Sequence, residues 1–314
     1  MFSQPKKFAF VAAGLAALNV YPLYAANAQG MPVLSADIVM ELQNEYTYDA
    51  DDASVEDYNN MFYRTEIAPT LRFNENFYID GVAVWEGIQD RDPGESNYFD
   101  NEGLFVEEIK LNYENGPWAA MAGKFNPGFG IAWDYGRGIW GEDFAEDYEI
   151  TEKVGVGGSY TFDTPEYGSH TLAASTFFAD TSFLSGSLVT KRDQVDEEDG
   201  GAANTQDFSS YVVSLDGENL AGVENLYYKL GYRNLAEGDA DTGGDRETGY
   251  VVTLGHAFAV TDRVGMDALV EFADIDNFEA GNDDYQYLTG SLITTLDDQW
   301  NMTVGYTARD IDVD

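Results

Sequence analysis

The chain has 314 residues with 16 basic and 57 acidic side chains, a formal charge of −41, and no cysteine. The lack of cysteine excludes disulfides, thiolate metal sites and cysteine nucleophiles, and the acidic surplus excludes nucleic acid as a natural partner. Such a surplus accompanies disorder in chains poor in aromatics, but 21 Tyr, 19 Phe and 5 Trp call for a folded structure to hold them.

Lys6 and Lys7 precede an apolar run from Phe8 to Leu18, and Ala26, Asn27 and Ala28 form a small-residue cleavage pattern. Residues 1–28 read as a secretory signal peptide, because the run is too short to cross a bilayer and Pro22 breaks any helical continuation beyond it. The exported part, 29–314, then carries 14 basic against 57 acidic residues, a formal −43. Past residue 30 no run of about eighteen apolar residues occurs, which leaves strands as the means of spanning a membrane.

From Leu34 to Tyr48 the chain alternates, with Ala36, Ile38, Met40, Leu42, Tyr46 and Tyr48 on one face and Asp37, Glu41, Gln43 and Glu45 on the other. A period of two predicts a strand. The next segment sets Tyr63, Ile67, Leu71 and Phe73 against Arg64, Glu66, Thr70 and Arg72. Further apolar faces are Phe105, Ile109, Leu111, Tyr113; Val154, Val156, Tyr160, Phe162; Leu172, Ala174, Phe178; and Tyr211, Val213, Leu215. Leu226, Tyr228, Leu230, Tyr232 come next, then Tyr250, Val252, Leu254, Phe258, then Val264, Met266, Ala268, Val270, Phe272, and last Trp300, Met302, Val304, Tyr306. Segments near 77–88, 118–125 and 285–296 also read as strands, with ambiguous facing.

These thirteen segments are each about the ten residues that a tilted strand needs to cross an apolar layer. Short connections near Asn74 to Asn76, Glu114 to Pro117, Thr164 to Ser169, Thr261 to Asp262 and Asp297 to Gln299 alternate with long acidic ones, roughly 49–60, 89–102, 126–149, 181–207, 236–247 and 275–284. Aromatics gather toward strand ends. All three features predict an all-β, transmembrane antiparallel up-and-down β-barrel in the outer membrane of a Gram-negative cell, with short periplasmic turns and long external loops. A soluble β-sandwich also alternates, but thirteen long strands with one uniformly apolar face suit lipid better. An even strand count is the rule for single-chain bacterial barrels. The expectation is therefore fourteen strands in the complete barrel, with a closing C-terminal strand missing after Asp314, or else one strand too many among the thirteen.

In such a barrel the polar face lines the lumen, which assigns Glu45, Arg64, Glu66, Arg72, Glu108, Lys110, Lys124, Lys229, Arg233, Asp267, Glu271 and Arg309 to water inside. Cross-strand pairing and a selectivity field are both open to them. The stretch Gly123 to Gly155 packs glycine, aromatic and acidic residues into one long connection, and a loop of that length is commonly functional. Folded into the pore, it would place Asp134, Arg137, Glu142, Asp143, Glu146 and Asp147 at a constriction; projecting outward, it would only carry solvated charge.

The run Gly123, Lys124, Phe125, Asn126, Pro127, with Phe129, Gly130 and Trp133 and the later Asp143, Phe144, Ala145, Glu146, Asp147, Tyr148, resembles a family of proteobacterial outer-membrane porins. Siderophore-uptake porins are among its relatives. The resemblance implies a passive channel for small hydrophilic solutes or ions, with ligand-selective uptake as the alternative. A structural or adhesive barrel with acidic loops is a third reading. The acidity favours cations, although a saline habitat would explain it as well.

An enzyme is not expected, because neither His170 nor His256 has a serine placed for a histidine-activated nucleophile. No cofactor is expected either. Asp239, Asp241, Gly243, Gly244 and Asp245, and likewise Asp276, Asn282, Asp283 and Asp284, give a weak Ca2+ signal without the spacing of a defined calcium loop. The partners implied are outer-membrane lipid and small solutes, with the oligomeric state left open.

Overall fold

The structure, a computed structural model, describes residues 18–20, 30–47, 58–89, 95–133, 144–192, 195–238, 245–297 and 300–313. The chain divides into two compact units, residues 1–109 with 181–194, and residues 110–180 with 195–314. Among the described residues the regular structure is antiparallel β, apart from one two-residue parallel pairing, with short 3-10 turns in several connections.

The first unit contains β1 (Leu18–Val20), β2 (Val33–Thr47), β3 (Tyr58–Arg72), β4 (Phe77–Gly87), the two-residue β5 (Asn97–Tyr98) and the start of β6 (Glu102–Asn115). β2, β3 and β4 pair antiparallel in chain order, β5 lies parallel beside β3, and β1 pairs with β2 at Leu18↔Met40. β1 falls within the stretch expected to be a leader.

The second unit contains the rest of β6, β7 (Trp118–Phe125), β8 (Lys153–Thr164), β9 (Gly168–Ala179), β10 (Ser210–Glu218) and β11 (Leu226–Leu235). It ends with β12 (Glu247–Thr261), β13 (Val264–Asp276), β14 (Asp284–Leu296) and β15 (Trp300–Asp312). From β7 to β15 each strand pairs antiparallel with the next. The thirteen predicted segments correspond to β2, β3, β4 and β6 to β15.

The short turns are built by local chemistry. Asn74 Oδ1 accepts from the backbone N–H of Asn76 and Phe77, both at 2.9 Å, and Thr261 Oγ1 accepts from Arg263 and Val264 at 3.2 and 3.1 Å. A further short connection, Asn219 to Asn225, also joins β10 to β11.

The two faces of the sheet differ sharply in the second unit. One face is bare and apolar: Leu230, Val252, Phe272 and Leu288 form a single cross-strand row through four strands, at 43, 51, 41 and 47% exposure. Val270 and Val304 are exposed at 55 and 62%. This bare face carries an aromatic band at each end. Trp118, Tyr160, Phe162, His170 and Tyr228 lie toward the short turns, and Tyr211, Tyr232 and Tyr250 toward the long connections. The opposite face, Glu247, Gly249, Val251, Thr253 and Gly255 on β12, is covered.

The ambiguous strands now have a facing. Phe77 and Trp85 are bare while Val84 is buried, Trp118 is bare while Phe125 is buried, and Leu288 is bare while Tyr287 and Thr289 are buried. One expectation needs correction. Phe105, placed on the bare face by alternation, is 6% exposed, with the Arg192 guanidinium 4.2 Å from its ring centroid. A connecting segment covers the start of β6, as the bond from Leu188 N–H to Leu104 C=O shows, and this burial overrides the sequence pattern.

Candidate functional site

On the covered face of the second unit lie the two described ends of the connection between β7 and β8, residues 126–133 and 144–152. Their aromatics point to the sheet: Phe129 and Tyr148 are at most 1% exposed and join a core with Val251, Leu269, Ala273, Ile275 and Tyr287. Gly231 makes room for Phe129, since a Cβ there would sit 3.4 Å from the ring and 2.6 Å from Val251.

Glu271 of β13 is the main anchor. Its carboxylate accepts from the backbone N–H of Ile131 at 2.8 Å and Ala132 at 3.1 Å, from the Tyr148 hydroxyl at 2.6 Å and from the Thr253 hydroxyl at 2.5 Å. Four donors on one buried carboxylate satisfy the charge without a cationic partner. Burial, reinforced by the adjacent Glu271 charge, raises the Tyr148 phenol well above its usual range, so it stays protonated and donates. Gly130 has φ +76, and a Cβ there would lie 2.8 Å from Glu271 Oε1 and 3.0 Å from the Tyr148 ring. The turn therefore demands glycine both conformationally and sterically.

Three ionic contacts surround this anchor. Arg233 of β11 donates to the Tyr148 carbonyl at 2.8 Å, lies 2.7 Å from Glu247 Oε1, and stacks 4.6 Å from the Phe129 ring centroid. Lys124 is held between Glu152 at 2.8 Å and Asp180 at 2.9 Å, while the Glu152 N–H donates to Asn126 Oδ1. Asp147 accepts from the Tyr287 hydroxyl at 3.1 Å and from Arg309 at 2.6 Å. These contacts tie the segment to β7, β11, β13, β14 and β15.

The sequence-predicted residues are thus distributed unevenly. Lys124, Arg233 and Glu271 were expected to face water, but at 2, 2 and 1% exposure they lie beneath the connecting segment. The alternation that places a side chain on a face cannot show what covers that face. Lys229 pairs with Asp216 at 2.8 Å, and Asp267 accepts from Tyr227 at 2.9 Å. Arg309 is exposed, and Lys110 and Glu108 are half-buried.

In the first unit Arg64 faces Glu66, Glu86 and Glu107 at 2.8, 3.3 and 3.5 Å, and Arg72 lies over Tyr78. Glu45 lies on β2, and its side chain falls outside the described residues. Of the expected constriction residues, Asp134, Arg137, Glu142 and Asp143 also fall outside them, Glu146 is exposed, and Asp147 is the ion-pair partner of Arg309.

Sequence reasoning missed Glu247, Glu152, Asp180, Tyr148 and Tyr287. Glu247 carried a usable signal, since it shares the covered-face parity of Thr253, diagonal to Arg233 in the β11–β12 register. Asp180 and Glu152 lie just beyond strand ends, where parity stops being informative.

His170 belongs to the aromatic band. Its ring nitrogens lie 2.9 Å from the Tyr228 hydroxyl and 3.0 Å from Thr164 Oγ1, so both are engaged. Among the described residues no group of three or more acidic or histidine side chains is placed to hold a metal ion. Asp239, Asp241, Gly243 and Gly244 lie outside them, while Asp284 Oδ1 accepts from the Asn277 N–H.

No family model matches the chain, and no curated protein matches it. Solved structures similar to it include the outer membrane channel DcaP of Acinetobacter baumannii, 12% identical with a TM-score of 0.44, covering 96% of this chain and 79% of that one. Salmonella typhi OmpF in complex with daunomycin is 11% identical with a TM-score of 0.40, covering 92% and 100%. OmpT, an outer membrane protein of Vibrio cholerae in its trimer form, is 12% identical with a TM-score of 0.37, covering 97% and 90%. Likenesses this distant decide nothing about function.

Proposed function

We propose that the chain is an outer-membrane porin, a closed β-barrel that lets small hydrophilic solutes and ions diffuse across the membrane, with a preference for cations. The observation that carries this is the bare apolar face. Soluble monomers rarely expose contiguous apolar surface beyond a few hundred Å², yet here a row of aliphatic and aromatic side chains crosses four strands unbroken. Lipid is the solvent that suits such a face, and aromatic bands at its two ends match the two interfaces of a bilayer.

The same physics argues for closure. An open sheet edge in hydrocarbon leaves N–H and C=O groups unpaired at several kcal/mol each. The covered face supplies the lumen, and the segment pinned to Glu271 narrows it as a constriction. The formal charge of −43 on 29–314 concentrates cations at the opening. The signal peptide over 1–28 supplies export.

Liposome swelling tests the reading. Proteoliposomes transferred to isotonic solutions of sugars of increasing size should swell at rates that fall steeply with solute size. Swelling no faster than protein-free vesicles in even the smallest sugar would overturn it.

A further inference from the structure

A cavity of about 300 Å³ opens on the covered face beside the pinned segment. That volume lies at the lower end of small-molecule sites. Its apolar wall is Ile150, Leu235 and Phe278, the first two no more than 5% exposed. Its charged wall is unusual. Lys153 joins no ion pair among the described residues, and the carboxylates whose charge it feels, Glu152 and Glu247, are held by Lys124 and Arg233. Arg233, 2% exposed, also lines the cavity. An incoming carboxylate would face both cations. At the edge Glu279 is exposed and Glu149 adds a second negative charge, while Asp147 and Glu247 are committed to Arg309 and Arg233.

We infer that this cavity is a binding site for a small zwitterion with an apolar body, an α-amino acid in chemical class, whose carboxylate meets Lys153 and Arg233 and whose ammonium faces Glu279. The inference rests on the channel reading and names a solute class for it. A zwitterion also reconciles the two charge patterns: the acidic exterior attracts the ammonium, and the cavity supplies the cation that the carboxylate needs.

Calorimetric titration of the full chain, refolded in detergent, tests it with L-phenylalanine, 3-phenylpropionate and 2-phenylethylamine. L-Phenylalanine should bind about tenfold or more tightly than either analogue, because each lacks one charge-assisted contact. Lys153→Met should weaken L-phenylalanine by a similar factor. Equal binding of phenylethylamine and phenylalanine by the unaltered chain would overturn the site with no variant needed, as would no phenylalanine binding in a protein that conducts. Binding with the stated order in a protein that does not conduct would keep the site and remove the channel. Absence of both would remove both.

Discussion

At the residue scale the molecule turns on a few buried charges whose partners come from far along the chain. Glu271 receives four donors, two from backbone beyond β7 and one from Tyr148. Glu271→Gln replaces one acceptor oxygen by a donor group facing donors, and should cost about 2–3 kcal/mol, read as a lower unfolding temperature in detergent and a noisier bilayer current. Glu279→Gln, at an exposed position, should leave both unchanged. Arg233→Met strands Glu247 in the covered face, and a loss of about 3–5 kcal/mol is expected from leaving one member of a buried pair alone. At the surface, the Arg263 guanidinium hydrogen-bonded to Asp297 holds that carboxyl below its ordinary range. A depressed folded pKa contributes stability that is present above the ordinary carboxylate range and lost as pH falls through the folded value. Asp297→Asn should therefore flatten part of the acid limb of a stability–pH profile by lowering neutral stability slightly, and leave stability below the folded pKa unchanged. The individual charges were legible in the sequence, but not their pairing, because Glu271 and Ala132 are separated by 139 positions.

At the element scale the strands were legible and their covering was not. Alternation located and faced β2, β3, β6, β8 to β13 and β15 because bulky apolar residues recur every second position. It left β7 ambiguous because Ala119, Ala120 and Ala122 give both faces a small apolar residue, and Trp118 and Phe125 decide the facing only at the ends. β14 was ambiguous for the opposite reason. Tyr285 and Tyr287 put large rings on the covered face, where Tyr148 and Phe278 meet them. Phe105 shows the limit of parity once a connecting segment lies over a strand. The native chain lacks cysteine, so single introduced cysteines report without background. In vesicles Val252→Cys and Val270→Cys should resist a membrane-impermeant maleimide and react with a lipid-soluble one. Rapid labelling of both by the impermeant reagent would place the bare face in water.

At the largest scale the second unit presents bare apolar rows on one face of its sheet and buries Arg233, Lys124, Glu247 and Glu271. That arrangement was readable in part from the sequence, because Arg233 and Glu271 alternate with the apolar sets of their strands, and it underlies the proposal of a membrane location. The central claim is that water and ions pass along the covered face, in an acidic field. The reversal potential of the protein in a planar bilayer, measured across a tenfold potassium chloride gradient, tests this most directly. Discrete conductance steps with a reversal potential of the sign set by potassium are predicted; anion preference, or no conductance from inserted protein, would contradict the account.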